Sequence, residues 1–146
     1  MKLNFMTLAI AFVFTACSGS ADNKVPELAN EMCDCFTKFQ QDLSPEGRDL
    51  MKAVSTSDTP QAELTAGMSK LKPEDITSFA EKLRSIGEKG SAVFTCMQEF
   101  DKRHEKETTK DRTALTEKLL TEMKAQGDCP VGAAIVNLSL VKTKGK

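Results

Sequence analysis

The chain has 146 residues, 40% of them hydrophobic and 28% charged, and a formal net charge of -1 at pH 7. That length and balance describe one ordinary globular unit with a core of its own and exclude the fibrous and disordered classes. With no charge excess and neither Trp nor Tyr, the sequence offers no basic stripe and few stacking platforms, which argues against nucleic acid or carbohydrate as a partner.

Residues 1–16 read as an export signal. Lys2 supplies the positive start, Leu3 to Phe14 is an apolar run interrupted only by Asn4 and Thr7, and small residues precede Cys17. The run is too short for a membrane-spanning helix, which needs about 20 apolar residues. Phe14-Thr15-Ala16-Cys17 resembles the lipobox of bacterial lipoproteins, with Phe14 standing where leucine is usual. The resemblance covers residues 1–17 only. It implies lipidation of Cys17 as the mature N-terminus, a place in the bacterial cell envelope, and the membrane as a partner through the N-terminal anchor. Ser18 is not the aspartate that marks inner-membrane retention in enteric bacteria, which implies the outer membrane, facing the periplasm or the cell surface. Cleavage by the ordinary signal peptidase and an uncleaved anchor are the competing fates of this segment. Residues 17–25 then form the lipidated cysteine and a flexible tether, and residues 26–146 a single helical domain.

From Pro26 to Leu43 the apolar positions Leu28, Met32, Cys35, Phe36, Phe39 and Leu43 recur at steps of three and four, which predicts an amphipathic helix. On that helix Cys35 falls on the apolar stripe, while Cys33 projects about 160° away from it, at 100° per residue. Ser44 reads as an N-cap with Pro45 in the first turn of a short helix through Leu50, Met51 and Val54. Ser55 to Pro60 is loop by composition, and Asp58 with Gln61 resembles a capping box for a helix carrying Leu64, Met68 and Leu71, ended by Pro73.

Ile76, Leu83, Gly90 and Met97 share one heptad position and Phe79, Ile86, Val93 and Phe100 the other, predicting one long helix from Pro73 to Lys106. Gly87 and Gly90 allow either a close helix approach or a kink, and close packing is the favoured expectation. The charged stretch Asp101 to Arg112 reads as a turn between antiparallel helices. A further helix carries Leu115, Leu119 and Met123 and ends at Gly127, placed as a C-terminal cap. Val131 to Val141 is ambiguous: Pro130 favours a helix, Val136 to Leu140 alternates like a strand, and helix is the better choice because no other strand is at hand.

Setting Cys17 aside leaves Cys33, Cys35, Cys96 and Cys129, an even set that in an exported protein reads as two disulfides. A Cys33–Cys35 bridge within one helix is geometrically poor, so each is expected to pair with Cys96 or Cys129, in either arrangement. Each such bridge would contribute about 4 kcal/mol on the chain-entropy model. A redox dithiol is disfavoured by acidic Glu31 and Asp34 beside the pair, and a zinc or copper site by the lack of a second close cysteine pair. His104, the single histidine, reads as a solvated surface residue, and Glu105/Glu107 and Glu117/Glu122 as helix-surface carboxylates.

The expected architecture is therefore all-α, a small bundle of four to six helices stapled by two disulfides. The expected role is non-enzymatic, binding or structural, at the cell envelope, with an envelope protein or a small ligand as partner, no nucleic acid, and no cofactor, catalytic residue or metal. The alternative is a thiol-dependent redox or metal-handling periplasmic protein using Cys33, Cys35, Cys96 and Cys129.

Overall fold

A computed structural model describes residues 24–108 and 111–144. The export signal, Cys17 and the tether up to Asn23 lie outside the described residues. Within the described residues there are eight helices and no strand: α1 (Val25–Asp42), α2 (Pro45–Thr56), α3 (Pro60–Met68), α4 (Pro73–Ser85), α5 (Ala92–Arg103), α6 (Glu105–Thr108), α7 (Arg112–Gln126) and α8 (Pro130–Lys144). None of these helices is long and apolar enough to cross a membrane.

Proline punctuates the chain in one sense. All five prolines stand at the first or second position of a helix, in α1, α2, α3, α4 and α8. There the missing N–H has no intrahelical acceptor to lose and the fixed φ suits the first turn. Ser44 accepts a hydrogen bond from the Gly47 amide as the N-cap of α2. Gly127 closes α7 in the left-handed region at φ 74°, its amide reaching the Met123 carbonyl.

The helix count exceeds the expected four to six because the predicted helix from Pro73 to Lys106 is divided into α4, α5 and α6. Gly90 adopts φ 90°, a conformation that breaks the helix and is open to glycine at little steric cost. A Cβ there would meet nothing within 4 Å, so the glycine serves the turn, and the close helix approach expected at Gly87 and Gly90 does not occur. Ser91 then restarts the chain by capping the Phe94 amide. His104, with φ -110° and ψ 27°, makes the second break. Three smaller boundaries also move. α2 runs on through Ser55 and Thr56, and α3 opens at Pro60 after an N-cap Thr59 that makes no side-chain bond, in place of the Asp58 capping box. α3 ends at Met68, leaving Leu71 in the following turn.

The core lies between α1, α2, α7 and α8. α8 packs against α2, α7, α1 and α3, and α1 also contacts α7 and α5. Val131, Ala133 and Ala134 are almost wholly buried, among Phe36, Met51, Val54, Leu119 and Met123. At Gly132 a Cβ would come within 2.5 Å of Cys129 Sγ and 3.1 Å of the Phe36 ring, so the absence of a side chain permits that close approach. Two polar side chains are buried here: Ser55, whose hydroxyl donates to the Lys52 carbonyl, and Asn137. The two Nδ2 protons of Asn137 are shared among the carbonyls of Val54 (3.0 Å), Ser55 (3.3 Å) and Ser57 (2.9 Å), bonding the C-terminal end of α2 from the side of α8.

Candidate functional site

The two cysteines of α1 face different partners. Cys33 pairs with Cys129, just ahead of α8, with 5.6 Å between Cα atoms. Cys35 pairs with Cys96 on α5, at 5.5 Å. Both separations suit a disulfide. Because 100° of helix rotation separates successive residues, two cysteines two positions apart reach opposite neighbours, and α1 is tied on one side to the α7–α8 junction and on the other to α5. Cys35 and Cys129 are buried, while Cys33 and Cys96 are half-buried. The Cys33–Cys129 bridge borders a shallow polar depression that includes Asp34, Thr37 and Asp128.

These bridges fix the walls of an apolar pocket of about 480 Å³, within the range of about 300–1,000 Å³ usual for small-molecule sites. α1 contributes Met32 and Phe36, α5 Met97 and Phe100, α7 Leu115 and Leu119, and α8 Ile135, Val136 and Leu140. Periodicity placed most of these side chains on buried faces. It gave no sign that the faces leave space between them. Two of the lining residues are methionines, whose unbranched thioethers adapt to irregular shapes.

Polar groups ring one side of the pocket. Thr116 Oγ1 donates to the Arg112 carbonyl (2.6 Å), Ser139 Oγ to the Val136 carbonyl (2.7 Å) and Thr108 Oγ1 to the Glu105 carbonyl (3.3 Å), so these hydroxyl protons are directed to backbone. Arg112 Nη2 meets Asp101 Oδ2 at 3.2 Å, joining the start of α7 to the end of α5 across the rim.

The short helix α6, which carries Thr108 at the pocket wall, is held by a cluster of charges that the sequence does not advertise. His104 is half-buried rather than solvated: its Nε2 lies 2.6 Å from Glu31 Oε2, and its ring stacks at a tilt on Phe100 with centroids 4.8 Å apart. Arg103 pairs with the other oxygen of Glu31. The Glu31 carboxyl is held below its ordinary range, first by the hydrogen bond to His104, against partial burial, and then by Arg103. Glu107 is paired with Lys24 at 3.3 Å, and its carboxyl is lowered by its own backbone amide and then by Lys24. Glu31 and His104 are 73 residues apart, and the only hint in the sequence was a lone histidine within a helix–helix turn.

Among the described residues, no group of three or more His, Cys, Asp and Glu side chains is arranged to hold a metal ion. Compared with protein-family models, curated proteins and solved structures, the chain matches none.

Proposed function

We propose that this chain is a lipid-anchored protein of the bacterial cell envelope, on the outer membrane, that acts without catalysis by binding a small apolar ligand in the pocket between α1, α5, α7 and α8. The observation that carries the binding role is the pocket itself: about 480 Å³, bounded by apolar side chains of four helices and braced by the Cys35–Cys96 bridge between two of them. The anchor is carried by Phe14-Thr15-Ala16-Cys17 alone. The thiol-dependent redox or metal-handling alternative has no observation in its favour. Its four cysteines are paired as disulfides, and acidic Asp34 and Asp128 near the Cys33–Cys129 bridge disfavour thiolate formation.

The chain contains neither Trp nor Tyr, so a neutral probe such as N-phenylnaphthylamine can be followed without intrinsic background. The probe is expected to bind with one-to-one stoichiometry, and Thr116→Trp or Ser139→Trp, each filling the pocket from its wall, should abolish the signal while leaving helical circular dichroism unchanged. Undiminished binding in both variants would reject this pocket as the site. Separately, Cys17→Ser should remove acyl labelling and membrane fractionation, and unchanged attachment would refute the anchor.

A further inference from the structure

We infer that the pocket takes a single-chain amphiphile with a carboxylate-type anionic head, its chain among Met32, Phe36, Leu119 and Val136 and its head on Arg112 at the rim. The inference rests on the pocket being the binding site, as proposed above, and adds the class of ligand and the residue that selects it.

Two features of the rim lead there. The hydroxyl protons of Thr108, Thr116 and Ser139 go to backbone carbonyls, so the polar groups of the rim that can meet a head group are the Thr113 hydroxyl and the charged pair Asp101–Arg112. A guanidinium presents five N–H donors in a planar fork, and the bond to Asp101 Oδ2 is made through Nη2 alone, with the Arg112 side chain 74% exposed. Donors therefore remain for a second carboxylate, in the two-toothed geometry that arginine favours. Arg112 is the first residue of α7, an end already capped by the Asp111 carboxylate, which accepts from the Ala114 amide, so the free guanidinium donors and not the helix end carry the preference for an anion. Away from that polar side the walls are apolar, from Met32, Phe36, Leu119 and Val136, and suit a hydrocarbon chain.

The experiment uses the full chain kept soluble in an amphipathic polymer without free detergent. Dodecanoate, dodecanol and dodecylamine compete with N-phenylnaphthylamine, and the quantity read is the ratio of carboxylate to alcohol affinity, which a general loss of fold does not move. Wild type should prefer dodecanoate to dodecanol by about threefold, the scale of an ion pair at an exposed site. Arg112→Gln should bring that ratio to about one, and Asp101→Asn, which removes the competing carboxylate, should raise it about threefold. Shortening the chain by one methylene should weaken each ligand about fourfold while the chain still lies inside. Equal affinity for carboxylate and alcohol, a preference for the amine, or a ratio untouched by Arg112→Gln would overturn the head-group assignment while leaving the pocket as an apolar site. Failure of the neutral probe and of all three ligands to bind would remove the pocket reading itself.

Discussion

α4 and α8 begin alike and end in different places. Both open on a proline, and their lengths are similar, 13 and 15 residues. α4 has a clear apolar stripe at heptad spacing, yet Phe79 is its only buried residue. α8 has no such stripe, yet buries Val131, Ala133, Ala134, Val136, Asn137 and Leu140 at the centre of the bundle. The difference is instructive because periodicity reports a helix with one wet face. A helix covered on most sides has no reason to be polar anywhere and so shows no period. The segment that looks most organised along the sequence is thus the lightly held one, and the ambiguous C-terminal stretch is the central one.

The contrast can be broken most strongly at the bridge that fastens the approach to α8. Replacing Cys33 and Cys129 together by alanine opens a closure of 96 residues and should lower unfolding free energy by about 4 kcal/mol in urea titration. A loss under about 1 kcal/mol would mean that packing alone positions α8. Next in size, Asn137→Ala removes the amide shared by the carbonyls of Val54, Ser55 and Ser57, of which Val54 keeps the Ser57 amide, and should cost about 2 kcal/mol. Equilibrium denaturation would reveal it, and an unchanged midpoint would show that water replaces the amide.

Phe79→Ala sharpens the other side of the comparison. In a rigid core such a truncation costs about 3 kcal/mol or more. Here the global loss should be smaller, because a detached α4 leaves the α1/α2/α7/α8 core in place. Amide exchange should therefore quicken throughout Pro73–Ser85 and remain slow in Pro130–Lys144, while uniform quickening would make α4 an integral part of the core. The smallest effect belongs to the corner at His104. Glu31 has its carboxyl lowered from 4.5 in the folded chain, so its contribution is present above that value and is lost as pH falls through the lowered folded value. Glu31→Gln should cost about 1 kcal/mol at neutral pH, and the gap to the parent chain should close on acidification below 4.5. A gap that persists at low pH would assign the loss to shape and hydrogen bonding instead of charge.

Much of the fold is legible in the residues themselves. Proline marks five of the helix starts, Ser44 and Gly127 cap as their types require, and the position of Cys33 and Cys35 on α1 implies that they face apart. These are local matters, decided by backbone geometry within a turn or two. The break at Gly90 shows where local reasoning divides: the same glycine serves a close approach or a left-handed turn, and only the packing around it selects one.

What the sequence by itself determined is the all-α character, most helix starts and the presence of four cysteines free to pair, because each follows from side-chain chemistry over a few residues. Tertiary structure alone decided that Cys33 takes Cys129 and Cys35 takes Cys96, that Glu31 meets His104, and that four apolar faces enclose a pocket with Arg112 at its rim. Those facts depend on distances between residues remote along the chain, and a one-dimensional pattern records which faces are apolar without recording which faces meet.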